Sequence, residues 1–442
     1  MKQKVFLISL GCAKNLVDSE NMLGILQEAG YSVVPDVEDA DVAIVNTCGF
    51  IQKAVEETID TILGLAQYKR DGTLERLLVA GCFVQRYGYK LRGEIPEVDG
   101  WLGTGEFQRI PEILEEVARG SSPFFIGRPT YLADHTVPRT LTTPTYTAYL
   151  KIAEGCSHTC SYCTIPGLRG PLRSRTMHSL VTEVEKMAEA GVKEINLVAQ
   201  DTSVYGMDLG KGMQLEDLLE SLVPVKGIEW IRILYSHPLR ISDRLLGLIE
   251  AEEKLCPYLD VPLQHVNGEI LRRMGRAFEA EGPEQLIERI RSRPRPISIR
   301  TTLMVGFPGE TDARYQELYD FVKWAEFDHL GVFVYSPESG TPAARFKEEV
   351  EPETAQKRQD AIMGLQAGIA EKKNQQIIGR TVPVLVEGLS PETDLLLKGR
   401  TATMAPEVDG QVLINRGQGE MGAIQPVKIT EAHTYDLVGE IV

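Results

Sequence analysis

Three apolar runs early in the chain each end on a cysteine: "LISLGC" at Cys12, "AIVNTC" at Cys48 and "LLVAGC" at Cys82. Each run is short and continuous, as a strand buried on both faces must be. "SENMLGILQEAG" follows the first, with Asp18 and Ser19 as capping candidates and a stop at Gly30. "YSVV" is a weaker strand before the second run, and "WLGTG" with a helix to about Ala118 follows the third. Alternation of this kind demands a parallel sheet with right-handed crossovers. The carboxyl ends of such strands open on one crevice, where ligands bind. Thiols 36 and 34 residues apart in sequence are therefore expected to meet there. Burial alone accounts for inert cysteines, but it does not put all three at the same end of a sheet. The trio is expected to hold an iron–sulfur cluster.

At 442 residues the chain is too long for one core. Residues 1–120 form the first expected domain. Residues 121–146, rich in Pro, Gly, Ser and Thr, read as a linker. From 147 the alternation resumes with six strands, "TAYLKIAEG", "EINLVAQDT", "WIRILYSHP", "YLDVPLQHV", "ISIRTTLMVGFPG" and "LGVFVYSPESG". Six βα units fall short of a closed eight-unit barrel, so an open (β/α)6 barrel with a trailing polar helix is expected over 147–379. Residues 380–442 change to short alternating runs such as "TVPVLVEG" and "QVLINR", the pattern of a small β-barrel.

"EGCSHTCSYCTIPGLRGPLRSR" (154–175) places Cys156, Cys160 and Cys163 in a C-x3-C-x2-C run just after the first barrel strand. Barrel active sites are built at that end. Three soft thiolates hold three irons of a 4Fe–4S cluster and leave the fourth open. Zinc wants a closed set in two pairs, and no second pair lies nearby; His158, between the cysteines, would crowd the loop as a ligand. Seven cysteines, an odd number, argue against a disulfide framework. The apolar run at the start is too short for a membrane span and lacks a cleavage site, so a cytoplasmic protein is expected. A net charge of −16 disfavours general nucleic-acid binding and suits a basic protein partner.

The three-cysteine run resembles the signature of the radical S-adenosylmethionine superfamily, with Tyr162 as its usual aromatic. That resemblance implies an open iron binding the amino and carboxylate groups of S-adenosylmethionine. It also implies reductive cleavage of that cofactor to a 5′-deoxyadenosyl radical. Along nearly the whole chain the features resemble the methylthiotransferases. That family joins a three-cysteine amino-terminal domain, a radical S-adenosylmethionine barrel and a carboxy-terminal β-barrel called TRAM. "SLGCAKNLVDSE" and "YLDVPLQH" are closest to the RimO type, which modifies a ribosomal protein; the tRNA-modifying MiaB type usually has Gln-Met where Ala13 and Lys14 stand. The resemblance implies two 4Fe–4S clusters and methylthiolation at the β-carbon of an aspartate in small-subunit ribosomal protein twelve, free or on the ribosome. It further implies a sulfur donor and a low-potential electron donor such as flavodoxin or ferredoxin.

Gln200, Asp201 and Thr202 end barrel strand two, where they can face the cofactor; the resemblance implies that they help hold it. Gly306 and Gly309 in "VGFPGET" allow close backbone approach to a ligand, or simply a turn. Arg173 and Arg175 can pair a carboxylate of cofactor or substrate with bidentate geometry, or stand solvated. His237 and His265 are expected to be packed core histidines, and Cys256 to be core packing.

Residues 381–442 carry four Lys/Arg against nine Asp/Glu. A barrel that grips tRNA should be basic, whereas an acidic one attracts a Lys/Arg-rich protein. Two other readings stand beside the RimO type: a tRNA adenosine methylthiotransferase and a non-catalytic iron–sulfur electron carrier.

Overall fold

The computed structural model describes residues 3–210, 212–278 and 281–442. The first sheet comprises β1 (Lys4–Ser9), β2 (Ser32–Val33), β3 (Val42–Thr47), β4 (Arg76–Gly81), β5 (Gly100–Leu102) and β6 (Phe124–Phe125). Their order is β2-β1-β3-β4-β5-β6, all parallel. β3 and β4 are buried almost throughout, because helices cover both faces of the sheet.

Two sequence expectations change here. The first helix runs Ala13–Glu28 and Cys12 itself is its capping residue, so Asp18 and Ser19 lie inside the helix. Their hydroxyl and carboxylate are used elsewhere: Ser19 bonds Ser9 at 2.8 Å, and Asp18 pairs across to the next domain. The stretch expected to be a linker is also ordered and packed. Phe124–Phe125 adds β6 to the sheet, and Arg139 binds Glu20 and Glu183, each at 2.6 Å.

The central sheet is open and six-stranded. It contains β7 (Thr147–Lys151), β10 (Glu194–Val198), β11 (Trp230–Ile233), β12 (Leu255–Asp260), β13 (Ser298–Val305) and β14 (His329–Val334), parallel and in chain order. A two-stranded ribbon, β8 (Ala153–Glu154) and β9 (Arg173–Ser174), brackets the three-cysteine loop. Outward residues such as Ile195, Leu197, Ile231 and Ile299 form one core with the surrounding helices. A helix at Pro352–Gln375 then leads to a closed barrel of β15 (Thr381–Ser390), β16 (Thr393–Thr401), β17 (Val412–Arg416), β18 (Ile424–Ala432) and β19 (Leu437–Ile441).

The two flanking domains share the concave face of the central sheet. The small barrel takes the residues near the strand starts: Arg400 binds Glu194 at 2.7 Å and Tyr258 binds Asp409 at 2.8 Å. The amino-terminal domain takes the strand ends, where Lys151 pairs with Asp18. No described helix is long and apolar enough to cross a membrane.

Candidate functional site

Cys12 and Cys48 stand on the turns that leave β1 and β3, and Cys82 opens the helix Cys82–Leu91 that directly follows β4. These turns are pressed together at glycines. A Cβ on Gly11, whose φ is +88°, would lie 2.7 Å from Cys48 Cβ; one on Gly49 would lie 2.7 Å from Phe83 Cα. The thiols consequently feel one another. Burial pushes Cys82 up to about 11, with the charges of Cys12 and Cys48 adding to it. Cys48 is raised by burial as well. Cys12 differs. The surrounding protein pushes it up, but Lys14, Arg169 and the N–H groups of Asn15 and Lys14 outweigh this and leave it below its ordinary value.

Cys156, Cys160 and Cys163 lie on the loop between β8 and the short helix Ile165–Arg169. Backbone bonds fix the loop: Cys156 N–H to Gly170 at 2.9 Å, Ser161 N–H to Met274 at 2.9 Å, and Ala343 N–H to Ser161 at 2.9 Å. Burial pushes Cys163 up to about 12, and Cys156 is raised for the same reason. Arg276 aims Nη1 at Cys160 Sγ from 3.7 Å while Nη2 donates to the Pro262 carbonyl at 2.7 Å.

Both thiol sets fit a soft, cluster-type occupant. Thiols raised this far stay protonated alone, whereas metal binding removes the proton. Arg169, Lys14 and Arg276 then offset the thiolate charge. Among the described residues no three His, Cys, Asp or Glu side chains close on one ion position; a four-iron cube is larger than one ion.

Arg169 joins the two sets. It ends the short helix that follows the loop of the second trio, yet its charge acts on Cys82, Cys12 and Cys48. Its guanidinium also holds Asp18 at 2.5 Å, Glu154 at 3.3 Å and Asn15 Oδ1 at 3.1 Å. Lys151 binds Asp18 and also Glu154 at 2.7 Å, and Gln200 donates to Glu154 at 2.8 Å. Burial alone would raise the Glu154 carboxyl; Lys151 and Arg169 instead hold it at about 2. Sequence reasoning missed Arg169, Arg276, Lys151 and Glu154, for nothing in a motif marks an ion pair as buried.

Asp201 accepts from His158 Nε2 at 2.6 Å and from the Ser203 N–H at 2.9 Å. The His158 ring stacks on His237 at 4.4 Å, so His158 is committed beside the loop. Burial first, then Arg276 and His158, push His237 down to about 3. Thr202 is buried and bonds the Leu234 carbonyl at 2.9 Å. Tyr162 packs toward Phe307 at 6.4 Å, in a cluster with Ile270 and Met274. His265 is fully buried and faces Glu310 at 3.4 Å. Cys256 is buried in the core between the sheet and the small barrel.

Two sets of residues expected near a ligand have protein partners in the structure. Arg175 is spent on Glu183 at 2.5 Å, Ser179 at 2.9 Å and the Lys151 carbonyl at 3.2 Å, so its fork is not free for a cofactor carboxylate. Arg173 likewise donates to the Pro171 and Arg169 carbonyls. Gly306 serves close packing: its φ is +75°, its N–H donates to Glu310 at 2.6 Å, and a Cβ would meet Ala355 Cβ at 2.6 Å. A cleft lined by Arg295, Lys373, Arg380 and Thr403 lies between the central sheet and the small barrel and touches neither trio.

Three family models match the chain. Residues 4–103 match Uncharacterized protein family UPF0004, residues 150–322 the Radical SAM superfamily, and residues 378–442 the TRAM domain. The ribosomal protein uS12 methylthiotransferase RimO of Syntrophotalea carbinolica is 48% identical over all of this chain and 97% of that protein. The protein of the same name from Geobacter sulfurreducens is 47% identical over all of this chain and 99% of its own length. Among solved structures, the radical S-adenosylmethionine methyltransferase TsrM from Kitasatospora setae, with cobalamin and a [4Fe-4S] cluster bound, superposes with a TM-score of 0.58. It is 15% identical and covers 78% of this chain and 77% of its own, a likeness of fold alone.

Proposed function

The chain belongs to the family of ribosomal protein uS12 methylthiotransferases, RimO, and on that footing we propose that its two cysteine trios hold two 4Fe–4S clusters around one shared space. The enzyme is a radical S-adenosylmethionine methylthiotransferase that acts on ribosomal protein uS12. The observation that carries the two-cluster reading is Arg169, which ends the short helix after Cys156, Cys160 and Cys163 and binds Asp18 at 2.5 Å and Asn15 at 3.1 Å on the helix that begins at Cys12.

Cys156, Cys160 and Cys163 would hold the cluster with an open iron for S-adenosylmethionine, and Cys12, Cys48 and Cys82 the cluster that handles sulfur. S-adenosylmethionine bound there supplies a hydrogen-abstracting radical and a methyl group, chemistry that an unactivated C–H bond needs. The modified atom in this reading is the β-carbon of an aspartate side chain. The chain's own residues orient and insulate. Asp201 and His158 wall one side of the second trio, while Gln200 is held by Glu154. Arg276 and Arg169 balance thiolate charge inside the protein. Arg232 and Arg400 clamp Glu194, so the small barrel closes the other half of the concave face. The electron comes from a low-potential carrier such as flavodoxin or ferredoxin, the sulfur from a separate donor, and the setting is cytoplasmic.

The test is to incubate reconstituted protein with S-adenosylmethionine, reductant and sulfide, and with either uS12 or tRNA. A mass gain of one SCH2 unit on uS12 supports the reading, and a gain confined to RNA sinks it. Anaerobically purified protein should carry roughly eight irons per chain, the content of two four-iron cubes; about four would remove the second cluster.

A further inference from the structure

Among the described residues, every buried Lys or Arg side chain has a carboxylate oxygen within 4.0 Å except two, Lys14 and Arg276. Each of the two stands beside one cysteine trio. Arg276 is occupied by Cys160 and the Pro262 carbonyl. Lys14 lies two residues past Cys12 in the first turn of its helix, with its ammonium over the Tyr235 ring at 3.4 Å from the centroid.

A cation–π contact returns only part of what an ammonium loses on leaving water. The one carboxylate among the groups that act on Lys14 is Asp260. It accepts the Tyr235 N–H at 3.2 Å and makes no ion pair with the ammonium. Arg169, the other cation that acts on Cys12, is already held by Asp18 and Glu154. An ammonium with no carboxylate partner thus stands two residues from Cys12, at the junction of the amino-terminal domain with the carboxyl ends of β11 and β12.

The position is held at a cost. Tyr235 adopts φ +61°, a conformation that non-glycine residues rarely take and that marks functional sites when the surroundings enforce it. Here the Thr202 N–H binds the Tyr235 carbonyl at 3.0 Å while the Tyr235 N–H is tied to Asp260. That turn puts the aromatic face under the ammonium. The arrangement leaves Lys14 buried over an aromatic ring and without a carboxylate.

We propose that Lys14 selects and positions the carboxylate of the acidic side chain to be modified, making in the complex the ion pair that the free protein lacks. The assignment rests on the uS12 reading above, and it makes Lys14 a determinant of substrate class: an amide of the same shape leaves the ammonium unpaired. Losing one partner of a desolvated charge pair costs enough to change affinity by about tenfold or more.

The experiment uses full-length, cluster-loaded protein with S-adenosylmethionine. Its probes are uS12 and a uS12 variant with asparagine in place of the target aspartate, with affinity read by titration calorimetry. Wild type should bind the aspartate form about tenfold tighter. Lys14→Met should bind both forms alike, at the weaker level, and Lys14→Arg should recover the preference. Iron content and thermal midpoint of each variant are read in parallel. A Lys14→Met protein that keeps both its iron and the preference overturns the proposal. So does loss of about half the iron from Lys14→Met with the preference intact, which would make Lys14 a counter-ion of the cluster. Failure of wild type to bind or modify either form of uS12 is a different result, because it removes the uS12 reading itself.

Discussion

Arg169 stands 2.5 Å from Asp18, and this contact ties the short helix after one cysteine trio to the helix that begins at the other. Both side chains are almost fully buried. Breaking such a pair from one side leaves a charge without compensation, which costs more than the pair contributes over an apolar replacement.

Arg169→Met should therefore destabilise the protein by about 3–5 kcal/mol. Arg169 also helps hold the Cys12 thiol below its ordinary value, so its removal lets that value rise. In cluster-free protein, the pH midpoint for alkylation of Cys12 should move upward, measured by peptide mass mapping after iodoacetamide pulses. An unmoved midpoint would show that Lys14 alone sets the Cys12 thiol.

Single cysteine changes should separate the two trios. Cys160→Ala is expected to abolish cleavage of S-adenosylmethionine, and 5′-deoxyadenosine at wild-type levels would contradict the assignment. Cys48→Ala is expected to retain some uncoupled cleavage while forming no methylthiolated uS12. Full product yield from Cys48→Ala would make the amino-terminal trio irrelevant to the reaction.

Glu194 predicts a pH dependence. Burial would raise its carboxyl, but Arg400 at 2.7 Å and Arg232 at 3.0 Å hold it at about 2. The folded value lies below the unfolded one of about 4.3. The stabilisation is thus complete above about pH 5 and disappears as pH falls through the folded value. Glu194→Gln should cost about 3–5 kcal/mol at neutral pH. The gap between wild-type and variant urea midpoints should narrow between pH 5 and pH 2; a constant gap would contradict the electrostatic origin.

Gly306→Ala tests whether that glycine serves packing. The added methyl meets Ala355 in the helix Pro352–Gln375 and the backbone there is left-handed. A loss of about 1–3 kcal/mol is expected from overpacking and strain together, with affinity for S-adenosylmethionine unchanged. Loss of affinity at unchanged stability would return Gly306 to the ligand site.

Local pattern carried the elements well. Six βα units, the open central sheet and the closed terminal barrel follow from apolar periodicity and turn residues, which neighbouring residues impose on one another. The helix start at Ala13 escaped it, since Cys12 is a poor capping type and Asp18 and Ser19 are good ones. The linker composition likewise hid β6 and the buried Arg139.

By itself the sequence determined which thiols could act together: C-x3-C-x2-C puts three on one loop, and three strands that end in cysteine put three at one sheet edge. What the trios face was decided only in three dimensions. Arg169 meets Asp18 from 151 positions away in the chain, Arg400 meets Glu194 from 206, and Lys14 meets Tyr235 from another domain. Charge pairing is an energy of distance and dielectric, and neither quantity exists until the domains have packed.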